Sequence, residues 1–206
     1  MSLIQHVSAG VTVAAVISAA AALTTLELAP TGLSSLRAAT SQYALTAYTW
    51  GFQWFEVSLA IAATALAISV ASRFPRHRNG LVVSLVLVAL GRSVVGWINM
   101  DAPGSPATAR GDVHWTLGII SFIATVFAMF FAQRTFRDSR HDSLLSRWSA
   151  LMGATTAAAI VLLFAASQLN GLSILFGLFE RAYYISTMIW IATIAVNQYI
   201  APAGRR

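Results

Sequence analysis

The chain has 206 residues, of which 57% are apolar and 10% charged, and its mean hydropathy is +0.71. Soluble domains carry about 25% charged residues, so a single water-soluble globule is excluded and a polytopic membrane protein is expected. There is no cysteine, which removes disulfides, thiolate nucleophiles and thiolate-bound metal or iron–sulfur clusters. All 13 basic residues are arginine, so a lysine Schiff base, and with it a retinal protein, is excluded. The sequence pI of 10.8 reflects arginines in short loops between apolar runs, not a basic face on a polar surface, and no nucleic-acid partner is expected.

A membrane span takes about 20 residues. Six apolar runs of that length are predicted near 7–28, 48–73, 80–99, 113–133, 148–168 and 173–200. They make residues 1–206 one all-α transmembrane domain, a six-helix bundle. The first run lacks a basic n-region and a small-residue cleavage site, and is read as a retained helix rather than a signal peptide. The breaks fall at Ala29-Pro30-Thr31-Gly32, Phe74-Pro75, Ala102-Pro103-Gly104-Ser105-Pro106 and Asn170-Gly171, with Pro202 closing the last helix. No internal repeat of the kind found in many transporters is visible.

Loop arginines set the orientation. Arg73, Arg76, Arg78, Arg134, Arg137, Arg140, Arg147, Arg205 and Arg206 fall on one side, against Arg37 and Arg110 on the other. The first side, with both termini, is expected to be cytoplasmic, in a cell (plasma) membrane. The longest external connection, 30–47, reads either as a short interfacial helix or as a lid over the bundle. Trp50, Trp54, Trp97 and Trp115 lie at the external ends, as an aromatic belt would.

A charge inside hydrocarbon costs about 2.5–3.5 kcal/mol or more, so each needs a partner or an aqueous cavity. Asp138 and Asp142 are cytoplasmic, whereas Glu27, Glu56, Asp101, Asp112 and Glu180 gather toward the outer third. Arg92 and Arg181 fall about two turns inside their helices at that same side, and His114 opens the fourth helix. At a rise of about 1.5 Å per residue, Glu56, Arg92 and Glu180 lie about 10–12 Å deep. Each also lies on an aligned helix face: Glu56 with Ala60, Ala63 and Ala67, His114 with Gly118, Ser121 and Thr125, Arg92 with Gly96 and Asn99, and Glu180 with Tyr184 and Thr187. Glu56, Arg92, Asp101, His114, Glu180 and Arg181 are therefore expected to form a polar pocket that binds or moves a small molecule or lipid.

Two other readings compete. In the first, an intramembrane lipid hydrolase or transferase uses His114 with Asp101 or Asp112 in acid–base roles, and Ser121 or Ser93 as nucleophile. In the second, ion pairs Glu56–Arg92 and Glu180–Arg181 only hold the helices of a structural or accessory subunit together. His6, His77 and His141 are cytoplasmic, which excludes bis-histidine haem ligation; neither a metal nor another cofactor is expected. Membrane lipids are the expected partners, and Arg73, Arg76 and Arg78 suit anionic headgroups.

The pattern Gly96-Trp-Ile-Asn-Met-Asp101, Thr108, Gly111, His114, Gly118 and Phe122, with Gly177-Leu-Phe-Glu-Arg181 and Trp190 later, resembles the domain-of-unknown-function 998 family of bacterial and archaeal membrane proteins. The resemblance covers nearly the whole chain and implies six spans, but no activity. Where that family often has a proline before Asp101, this chain has Ile98-Asn99-Met100. Arg92, Asp101 and His114 are more distantly similar to the superfamily of alkaline ceramidases and progestin/adiponectin-type receptors. The His-x-x-x-His of their last helix and a seventh span are missing, which argues against zinc hydrolysis.

Overall fold

A computed structural model describes residues 3–74, 78–137, 143–169 and 171–200. They fold into six α-helices: α1 (Leu3–Leu28), α2 (Thr49–Arg73), α3 (Asn79–Val95), α4 (Ala109–Arg137), α5 (Ser143–Gln168) and α6 (Phe176–Ile200). Among the described residues there is no strand. Short 3-10 helices at Thr40–Leu45 and Ser173–Leu175 precede α2 and α6. Each helix packs on its neighbours in sequence, α6 closes on α1, and α2 and α6 also meet across the interior.

The surface is apolar and the interior partly polar, the inverse of a soluble bundle. Ile61, Leu87, Leu90, Phe127, Leu151 and Val161 are exposed, whereas Thr12, Ser69, Thr125, Ser149, Thr156 and Gln198 are buried. Many of the buried polar groups bond within helices or across them. Trp190 Nε1 donates to Ser149 Oγ at 3.1 Å, Thr156 and Ser186 pair at 2.9 Å, and Ser69 donates to Gln198. Small residues are buried along both α1 and α2, among them Ala9, Ala19 and Ala22 of the first and Ala62 and Ala63 of the second, and the two helices pack together.

Helices α1, α2, α4 and α5 are long and apolar enough to cross a membrane. These helices mark the chain as a multi-pass, all-helical membrane protein. Helix α3 is apolar but has 17 residues, shorter than the run 80–99 suggested. The chain leaves it at Gly96 through tight turns, with Trp97 N–H bonded to Val94 O and Ile98 N–H to Val95 O. Helices α4 and α5 begin earlier than their apolar runs, and α4 also ends later. Polar ends continue a helix beyond the hydrocarbon, so hydropathy underestimates its length. Helix α6 begins at Phe176, after the 3-10 turn, rather than at 173.

Contacts gather the helix termini at two ends of the bundle. At one, Gln5 Nε2 donates to Ser72 O, the His6 ring meets Tyr199 at a tilt, and Phe74 meets Phe136. Arg73, Arg78, Arg134, Arg137 and Arg147 belong to helix ends here, which we call the arginine end. Pro75, Arg76, His77, Asp138, Arg140, His141, Asp142, Asn170, Pro202, Arg205 and Arg206 lie outside the described residues. The opposite end holds the polar groups.

Candidate polar cavity and its strap

Arg92 and Glu56, on α3 and α2, form a fully buried ion pair. Arg92 Nη1 lies 3.1 and 3.2 Å from the two Glu56 oxygens, and the side chains are 2% and 0% exposed. Helix α6 completes the enclosure. Arg92 donates to Tyr184 Oη at 2.8 Å and Tyr183 Oη at 3.1 Å, and its guanidinium stands 5.0 Å over the Phe122 ring. Tyr184 Oη donates on to Glu56 at 3.2 Å. Because the Thr125 hydroxyl donates to Ser121 O, Tyr183 must be the donor in the 2.8 Å contact with Thr125 Oγ1. Four helices thus share one polar network, built largely from charge-assisted hydrogen bonds.

Glycines allow this approach. A Cβ on Gly96 would lie 3.2 Å from Glu56 Cβ, and one on Gly91 would lie 2.0 Å from Ser121 Oγ. Arg92 sits less than one turn before the end of α3, not two, because the helix stops at Val95. Tight turns beyond it keep the pair covered.

Glu180 and Arg181 do not pair with one another. Neighbours in a helix diverge by about 100° and do not face each other. Arg181 turns to α1, with Nε 2.7 Å from Glu27 Oε1 and Nη1 donating to Ala38 O and Gly177 O. Glu180 accepts from Thr40 N–H at 2.6 Å. Both residues therefore hold segment 29–48, which lies over the bundle as a strap. Ser35 donates to Glu27, and Leu178 N–H bonds to Leu36 O. Tyr43, within the strap, turns inward at 1% exposure; burial, then the Glu27 charge, hold its phenol above the ordinary tyrosine range. Gly177 is required here, since a Cβ would come within 2.5 Å of Ala38 O and 2.6 Å of Ser35 O. The segment carries a short helix, the 3-10 turn Thr40–Leu45, and lies against α1 and α6.

The loop from α3 to α4 is fixed by Asp101. Its oxygens accept from Thr108 Oγ1 at 2.7 Å and Thr108 N–H at 2.9 Å, while Thr108 Oγ1 caps α4 by accepting from Gly111 N–H. Gly111 must lack a side chain, because a Cβ would fall 2.0 Å from Asp101 Oδ2. The hydroxyl and then the amide of Thr108 hold the Asp101 carboxyl below its ordinary value. A depressed carboxyl contributes stability above its unfolded pKa of about 3.9 and loses it as pH falls through the lower folded value. Asp101→Asn is therefore expected to melt lower than the parent at neutral pH, with the gap narrowing toward about pH 3. A melting series across that range checks this; a gap independent of pH would show that the charge is not what matters.

His114 Nδ1 faces Ile98 O, which only accepts, so Nδ1 carries the proton. Neither Asp101, bound to Thr108, nor Asp112 orients this imidazole through Nδ1. Ser121 donates to Leu117 O, and Ser93 is exposed and donates to Leu90 O. The acid–base and nucleophile roles expected for these residues thus find no assembled geometry. Among the described residues no three His, Asp or Glu side chains cluster as metal ligands.

Between the strap, the 96–108 loop and helices α2 to α6 lies a cavity of about 550 Å³. Glu56, Arg92, Asp101, Asp112, His114 and Glu180 reach its wall; Arg181 does not. Phe52, Trp115, Phe122, Phe176 and Tyr184 add aromatic surface, and Arg37 reaches it from the strap.

Residues 13–197 match the family described as "Protein of unknown function (DUF998)". The chain belongs to this family. No curated protein and no solved structure matches it. The residues that carried the resemblance have physical roles in this chain: Asp101, Thr108 and Gly111 fix the loop into α4, Gly177 admits the strap, and His114 and Gly118 line the cavity wall. Tyr183 and Glu27 complete the network, and sequence reasoning assigned neither a role in it.

Proposed function

We propose that all six helices cross the plasma membrane with both termini cytoplasmic, and that the cavity opens outward to bind or transport a small molecule or lipid. The arginine end carries the loop arginines and so belongs inside. Helix α3 spans about 26 Å, and adding the turn to Ile98 brings it near the ~30 Å of hydrocarbon. The lower hydropathy of α6 comes from Glu180, Arg181, Tyr183, Tyr184 and Gln198, all buried inside the bundle rather than facing lipid.

The observation that carries the functional reading is the cavity itself. Its volume falls within the ~300–1,000 Å³ typical of ligand sites, and Arg37, Glu56, Arg92, Asp101, Asp112, His114 and Glu180, from four helices, the strap and a loop, converge on it. A purely structural ion-pair network would be served by a filled core.

Gly118 offers a direct test. It lines the cavity, and a Cβ there meets nothing within 4 Å. Gly118→Leu should therefore project into the cavity and occlude it, its Cβ free of contact, and it removes a helix glycine worth up to about 1 kcal/mol against alanine. Native mass spectrometry of protein extracted directly from membranes should find a bound small molecule or lipid on the parent that Gly118→Leu lacks, at equal or higher thermal stability. Identical bound species on both proteins would refute the reading.

A further inference from the structure

We propose that the cavity selects an organic ammonium compound, with Glu180 as its counter-ion. This rests on the cavity being a binding site and names the chemistry it takes.

The charges on the wall do not balance. Glu56, Asp101, Asp112 and Glu180 reach it, against Arg37 and Arg92. Arg92 is committed to Glu56 through both its oxygens, and to Tyr183 and Tyr184. It is therefore unsuited to receive a ligand anion. Asp101 is taken by Thr108, and Asp112 lies exposed at the rim. Glu180 differs from all of these. It is 5% exposed, and its partner is a single backbone N–H, that of Thr40. The adjacent guanidinium of Arg181 is turned to Glu27. A carboxylate offers about four lone-pair sites, so Glu180 presents unused acceptor capacity to a cavity; Arg181 and Arg92 act on it through space but spend their hydrogen bonds elsewhere, in a setting where burying a charge is costly.

A cation entering the cavity would relieve that cost. A hard metal ion such as calcium takes 6–8 oxygen ligands, and among the described residues no three carboxylates or imidazoles are grouped to supply them. An alkylammonium needs one carboxylate and apolar or aromatic walls, which attract cations through their ring faces. The faces of Phe122 and Tyr184 are occupied by Arg92. Phe52, Phe176 and Trp115 remain for the ligand, with Leu163 and Ile119 for its apolar body.

Three probes of similar shape separate the charges: 2-phenylethylammonium, 2-phenylethanol and 3-phenylpropanoate. Calorimetric titration into the full chain in lipid nanodiscs should show the ammonium binding at least tenfold more tightly than the alcohol, and the anion weakest. Glu180→Gln keeps an acceptor for Thr40 N–H; it should erase the tenfold preference and leave alcohol affinity unchanged. An anion that binds as well as the ammonium, or a preference that survives Glu180→Gln, overturns the proposal. The parent ranking decides the matter alone if the variant fails to fold. Failure of all three probes to bind also overturns this assignment, while the Gly118→Leu comparison judges the cavity reading separately.

Discussion

Arg92→Leu, with Glu56 left in place, is expected to cost about 3–5 kcal/mol of stability, because it strands a fully buried carboxylate. Tyr184 keeps its bond to Glu56 and Tyr183 its bond to Thr125, so the loss is concentrated on the charge rather than spread through the hydroxyls. The double variant Glu56→Gln/Arg92→Leu should recover most of it, since replacing both members of a buried pair is often neutral or stabilising. Chemical unfolding in a mild detergent measures both. A single-variant loss below about 1 kcal/mol, the range of an exposed pair, would mean that water reaches Glu56. The double variant also separates a packing role from a binding role. If the pair only holds helices, a stable double variant is fully functional.

Arg181→Met comes second, at roughly 2–3 kcal/mol. The Glu27 side chain is 23% exposed, so the penalty falls between that of a surface pair and that of a buried one. Its more telling effect is local. Without Arg181 the carbonyl of Ala38 loses its donor and Glu27 its cation, and the strap keeps its bonds to α6 through Glu180 and Leu178 and to α1 through Ser35. Hydrogen exchange should accelerate at the Thr40 and Leu178 amides while the α2 amides keep their protection. Unchanged protection in the strap would show that Arg181 does not hold it down.

What could be read from residue order follows from what is local. Apolar runs, proline and glycine breaks and arginine counts are local signals, and they located six helices, with errors where helices outlast the hydrocarbon or, as in α3, stop at a glycine. The cost of burying charge is also a single-residue argument, and it brought Glu56, Arg92, His114 and Glu180 to one wall. Pairing is not local. Glu27 and Arg181 are 154 residues apart, and Thr40 and Glu180 are 140 apart, joined by a strap with no periodicity to read. The adjacency of Glu180 and Arg181 suggested a pair that helical geometry separates. The cap that Asp101 builds with Thr108 and Gly111 went unread, because Asp101 was weighed only for what it could do beside His114.

The central claim, a chamber reached from outside the cell, is most directly tested by thiol labelling, for which a cysteine-free chain is well suited. Ile119 lines the cavity, and Leu144, 79% exposed, lies in the first turn of α5 at the arginine end. In intact cells a membrane-impermeant maleimide should label Ile119→Cys, more slowly when Gly118→Leu is added, and should reach Leu144→Cys only after permeabilisation. Labelling of Leu144→Cys from outside, or an Ile119→Cys that no treatment exposes, would contradict the account.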